Sequence, residues 1–181
     1  MLIKVNKIEA AQRQIEVAIR LLFDNEDPVA IHTLAMASFR ILRDLASKKR
    51  SNMHNIVQAM IKPGMESKFW GTMHSFANFL KHAEKDPDAI IDNVDEEVND
   101  VILLIAAIYY QDLGYQLTPT MLALVSWYMA IRPEFLRNDS SNAFQTQSFM
   151  KAGSSSIGKP RIEQLKRGKY VLDLARKYHG Y

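Results

Sequence analysis

Not one cysteine occurs among the 181 residues. That excludes disulfides, thiolate metal ligands and a cysteine nucleophile, and it fits a reducing compartment. Long apolar runs are missing as well. The longest, Val101 to Tyr110, is about half of what a membrane-spanning helix needs. The chain opens Met-Leu-Ile-Lys-Val-Asn-Lys, without an apolar stretch or a small-residue cleavage site, so no signal peptide is expected. Neither sign of charge dominates: a net charge of +3 permits an anionic partner without demanding one. GxSxG, GxGxxG, HExxH and Walker A patterns are absent too. Gly153-Ser154-Ser155-Ser156-Ile157-Gly158-Lys159 has a phosphate-loop look, but it follows no strand and reads as a linker. No internal repeat at a solenoid period is found. Together these absences point to one cytoplasmic domain, bacterial or phage-borne in character, with no membrane segment.

What is present is helical periodicity. Apolar residues recur at three and four rather than at two. The first helix, about Lys7 to Asp24, carries Ile8, Ala11, Ile15, Ala18, Ile19 and Leu22 as one stripe. Asn25-Glu26 turns the chain, Asp27 caps the next helix and Pro28 sits in its first turn. That helix runs to about Ser47, with Ile31, Leu34, Ala35, Ser38, Ile41, Leu42 and Leu45 facing inward. So short a connection makes the pair an antiparallel αα-hairpin. Lys48-Lys49-Arg50 closes the second helix with charge suited to its dipole.

A short helix from about Asn52 to Ile61 stops at Pro63-Gly64. The next starts near Met65, shows Phe69, Met73, Phe76, Leu80 and Ala83 on one face, and is expected to end at Pro87. A fifth helix, about Asp95 to Leu113, begins on Asp95-Glu96-Glu97 and is apolar nearly all round, which suits the centre of a bundle. Thr118-Pro119 opens a sixth, which lasts until Pro133. The predicted fold is all-α, a helical bundle of six or seven helices beginning with an antiparallel αα-hairpin. It divides into residues 1–137 as the bundle, 138–159 as a flexible loop, and 160–181 as a basic C-terminal helix packing on the bundle.

Chemically able side chains gather in Asn78-Phe79-Leu80-Lys81-His82-Ala83-Glu84-Lys85-Asp86-Pro87-Asp88. On a continuous helix His74, Asn78 and Lys81 lie roughly 120–180° from Phe69 and His82 at about 220°, away from the apolar face. A solvated face has that appearance. The sharper alternative is a site at the helix end, covered by a loop or a second subunit, where lysine and histidine hold a phosphate. His82 is then the neutral-pH acid–base group. On the second helix His32, Met36, Phe39 and Arg43 share one flank. It either lines a groove with His32 and Arg43 or packs on a neighbour while Arg43 snorkels. His82, Asp86 and Asp88 have hard-ligand composition, but Pro87 splits them, so no metal or other cofactor is expected.

Two charge blocks complete the inventory. Eight acidic residues and one lysine fall between Glu84 and Asp100. The C-terminal segment offers Lys159, Arg161, Lys166, Arg167, Lys169, Arg176 and Lys177 with Tyr170, Tyr178 and Tyr181. The basic block suits a nucleic-acid backbone. It equally suits the acidic block, within the chain or between subunits, and that pairing is slightly favoured.

The hairpin turning at Asp27-Pro28, followed by a helix ending in Asn78-x-x-Lys81-His82, resembles the HEPN group of small bacterial helical proteins. More narrowly, the segment from Asn78 through Asp88 is similar to an uncharacterised bacterial family with an NFLKHAxxDPD-type motif. The organisation matches over roughly residues 6–130 and the specifics over the one motif. HEPN ribonucleases carry an arginine, a polar residue and then a histidine, paired over RNA by dimerisation. Asn78 and His82 match the polar residue and the histidine, while Ala77 stands where the arginine would be. The resemblance therefore implies a nucleotide- or nucleic-acid-linked binding module, a homo-oligomer with His74, Asn78, Lys81 and His82 at its site and Arg43 and His32 behind them. Two alternatives stay open: an HEPN-type ribonuclease in which Lys81 replaces the arginine, and a structural or interaction module without a catalytic site.

Overall fold

The computed structural model describes residues 2–61, 63–82, 84–92, 95–132 and 157–178. Among them are seven helices and no strand. These are α1 (Lys7–Phe23), α2 (Pro28–Lys48), α3 (Met53–Met60), α4 (Glu66–Phe79), α5 (Val98–Asp112), α6 (Pro119–Ile131) and α7 (Arg161–Tyr178). The loop expected over 138–159 lies outside the described residues up to 156.

Local chemistry sets the first hairpin. Asn6 and Glu9 form a capping box: the Asn6 side chain accepts from the Glu9 amide at 2.9 Å and the Glu9 carboxylate accepts from the Asn6 amide at 3.1 Å. Asn25 takes the left-handed conformation at φ 56°, and the Glu26 amide then reaches back to the Leu21 carbonyl at 3.0 Å. The Asp27 carboxylate accepts from the Val29 and Ala30 amides, with Pro28 at the first helical position. α1 and α2 consequently pack antiparallel along their lengths.

α5 is the central element. Every side chain from Ile102 to Ala107 is buried, as are Tyr109 and Tyr110, because α1, α2 and α6 surround it. The Lys49 ammonium donates to the Leu113 carbonyl at 3.1 Å, so a residue of the basic triplet expected to close α2 also closes α5. α7 docks on α6 and α1 through Leu165, Val171, Leu172 and Ala175. At Gly168 an added Cβ would overlap the Phe23 ring, so only glycine lets α7 approach α1 this closely.

α2 buries His32, Met36 and Phe39, so their flank packs on neighbours and does not line a groove, while Leu34, Ile41 and Leu45 are half-buried against the core. α2 packs on α1 at one side and on α4 and α5 at the other. One expectation needs correction: α4 stops at Phe79, well before Pro87. The Asn78 carbonyl accepts from both the Lys81 and His82 amides at 3.1 Å, the His82 carbonyl then accepts from the Lys85 amide at 2.9 Å, and a separate turn follows at 86–89. No large apolar side chain follows Leu80 until Ile90, itself 83% exposed, so nothing anchors another helical turn.

Candidate functional site

α2 and α4 lie side by side, with His32 against Phe76 (ring centroids 4.5 Å apart) and Phe39 against Trp70 (6.2 Å). Ascending α2 means descending α4, so the helices run antiparallel. Their outer edges carry the polar residues. Arg40 reaches across from α2, its Nη2 donating to the Asn78 Oδ1 at 3.4 Å. His74 sits in the field of both Arg40 and Arg43. Partial burial pushes its pKa down, and the two guanidinium groups push it further. The Lys81 ammonium is held below its ordinary pKa by desolvation and then by Arg40. Arg43 lies over the Phe39 ring at 5.6 Å and is engaged by its neighbour Asp44 at 3.0 Å. Among the described residues, neither Arg40 nor Lys81 has a carboxylate within ion-pairing distance.

Four expected residues therefore converge: His74, Asn78, Lys81 and Arg43 share one electropositive edge. His32 does not join them. It is fully buried, its Nδ1–H donating to the Asn99 Oδ1 at 2.8 Å while the Asn99 amide nitrogen donates to the Pro28 carbonyl at 3.1 Å. Burial lowers the His32 pKa, with hydrogen bonds to Asn99 and to the Met73 backbone opposing the shift and Arg40 reinforcing it. His32 is thus a neutral core histidine that ties the start of α5 to the start of α2. His82 lies beyond the end of α4. Its Nδ1 meets Glu84 at 3.0 Å, half exposed. Glu84 is shifted down, first by its own backbone amide and then by His82. Asp86 and Asp88 are exposed, and no group of three metal-capable side chains converges among the described residues.

Two participants carried a signal that went unused. Arg40 follows Met36 by four and precedes Arg43 by three, an ordinary helical row. Trp70 precedes His74 and Asn78 at the same spacing of four. The Trp70 ring lies nearly parallel to three others: Phe39 at 20°, His54 at 28° and His74 at 18°. Aromatic surface therefore continues from the core out to the charged edge. Asn78 and Lys81 are exposed and His74 half-buried, so this is an open face and not a cleft.

The acidic and basic blocks meet within the chain. Arg161 binds Asp100 with two hydrogen bonds of 2.7 Å, and Glu96 lies 3.9 Å from its Nε. The same guanidinium sits 5.6 Å above the Trp127 ring. Burial raises the Asp100 pKa to about 6 against the pull of Arg161. Lys169 pairs with Asp24 at 2.7 Å. Two of the cations offered to a nucleic acid are therefore structural. The Lys166 and Lys177 side chains remain exposed, and Tyr181 lies outside the described residues.

No family model, no curated protein and no solved structure matches this chain. No helix among the described residues is long and apolar enough to cross a membrane.

Proposed function

We propose that this chain is a cytoplasmic binding module of HEPN-like type, whose α2–α4 edge receives the phosphate of a nucleotide or RNA. One observation carries the reading: Arg40 donates to Asn78 and, after desolvation, is the second cause that lowers the Lys81 pKa, and among the described residues neither cation has a carboxylate partner. Cations that disfavour one another gain when an anion is placed between them. Arg40 and Asn78 supply fixed donors, Lys81 a mobile point charge, and His74 a further donor. The open shape of the face favours an extended ligand over an enclosed small molecule.

The test is binding of labelled single-stranded RNA by fluorescence anisotropy across a salt series. Affinity is expected to fall as salt rises, with a log–log slope of about −0.7 per phosphate contact. Arg40→Gln and Lys81→Gln should each weaken binding and flatten that slope. Salt-independent binding, or affinity untouched by both substitutions, removes the proposal.

The ribonuclease alternative also has a supporting observation. Ala77 is buried, so a guanidinium there would have no route to solvent, while Arg40 brings one to Asn78 from α2. On that reading two copies associate, Arg40 stabilises the phosphate in the transition state and His82 moves the proton. Cleavage of RNA by the purified protein, abolished by His82→Ala, would favour the enzyme. Absence of cleavage alongside salt-dependent binding favours the module.

A further inference from the structure

Gly71 occupies the interior of α4, where glycine weakens a helix relative to alanine. A glycine inside a helix often answers to a close neighbour, as Gly168 does to Phe23. At Gly71 an added Cβ would meet nothing within 4 Å among the described residues. The glycine leaves α4 backbone bare on an exposed face, immediately beside Trp70 and one turn before His74.

That bare patch is bordered by rings. Trp70 and His74 lie 6.1 Å apart and 18° from parallel, and His54 of α3 lies 6.0 Å from Trp70 on an exposed side chain. The Phe39 ring, 6.2 Å from Trp70, carries the Arg43 guanidinium 5.6 Å above it. Stacking surface and phosphate-binding cations are therefore contiguous, with Arg40, Asn78 and Lys81 continuing the charged side.

The geometry points to a nucleobase seat: a base stacks on the Trp70–His74 surface across the bare backbone of Gly71 while its phosphate lies on Arg40 and Lys81. The inference rests on the phosphate-binding reading and adds the base. Aromatic side chains contribute to single-strand binding because every base presents a π-face, so the seat accepts bases without reading sequence. A side chain at position 71 would stand between the flat ligand and the helix. Either a free nucleotide or one unit of a single strand has the required chemistry.

Tryptophan fluorescence on the full chain tests this. Of the two tryptophans, Trp127 is wholly buried with its Nε1 donating to the Gln164 carbonyl at 2.8 Å, so a ligand meets Trp70 alone. The probes are a short adenine oligoribonucleotide, the same sugar–phosphate strand without bases, and AMP. The base-bearing strand is expected to quench the emission and to bind about tenfold more tightly than the base-free strand. Trp70→Phe keeps the packing and abolishes the quench. Gly71→Ala raises the melting temperature yet weakens the base-bearing strand more than the base-free one, by about tenfold. Quenching by AMP at comparable affinity identifies a free nucleotide, and quenching by the strand alone a polynucleotide. If both strands bind equally without quenching and Gly71→Ala changes neither, the base seat is overturned while phosphate binding stands. If neither strand binds, both readings fall.

Discussion

Arg161 grips Asp100 with two parallel 2.7 Å hydrogen bonds spanning 61 positions of sequence, the Asp100 side chain only 4% exposed. This bidentate pair fixes the first turn of α7 to the first turn of α5. It is also where the acidic and basic blocks recognise one another. A buried pair of this kind is sensitive to the loss of one partner more than to the loss of both.

Arg161→Met strands the Asp100 carboxylate in the core and should destabilise the fold by about 3–5 kcal/mol. The double variant Asp100→Leu/Arg161→Met removes both charges and should recover most of that loss. Urea denaturation of the three proteins checks it. A double variant as unstable as the single one would show that the pair contributes net stability beyond avoiding a stranded charge.

Mild acid should act on this fold in two opposed ways. Asp100 is raised from 3.8 to about 6, so the folded state holds its proton more tightly than the unfolded chain. Its contribution is present at low pH and is lost as pH rises through about 6. His32 is lowered from 6.5, so the folded state resists its protonation, and its contribution is lost as pH falls below that value. Between about pH 7.5 and 5.5, Asp100→Asn should therefore lose more Tm than the parent protein, and His32→Asn less. Parallel thermal melts at the two pH values decide it.

Gly168→Ala should cost about 1–3 kcal/mol, since the new methyl overlaps the Phe23 ring and pushes α7 off α1. Phe23 also meets Trp127 edge-on at 5.1 Å, so near-ultraviolet circular dichroism should change along with Tm. Pairing the substitution with Phe23→Leu, which makes room, should restore part of the loss.

Removing the Arg40 charge should be felt at His74. Burial is the first cause of its lowered pKa and Arg40 the second. Arg40→Met is expected to move the His74 titration up toward 6.5 without reaching it, because burial and Arg43 persist. Proton-detected NMR titration of the imidazole reads this directly, and an unmoved His74 would disconnect the two residues.

The helices were legible because their signals are local. Asp27-Pro28 and Thr118-Pro119 announce a cap and a first turn within two residues, and the structure begins α2 and α6 there. The all-round apolar run of α5 likewise announced a centre. Pro87 is a visible breaker, but α4 ends earlier because no large apolar side chain follows Leu80 until Ile90. His32 was assigned to a site because its partner Asn99 is 67 positions away. Arg40 is legible only as one member of an ordinary helical row, because its contact with Asn78 spans 38 positions. Residue type and spacing found the charged edge, but its arginine came from packing.

α4 buries only Met73, Phe76 and Ala77, and α3 only Val57 among its described side chains, while α2 is seated deep between three neighbours. The two sides of the charged edge thus belong to parts of the molecule with different local unfolding free energies. Amide protons of α4 should exchange with solvent through a small outward opening that leaves the bundle intact, and those of α2 only on global unfolding. A ligand bridging Arg40 and Lys81 would join the two regimes. Its binding would register as slowed exchange along α4 before any change in the melting of the core.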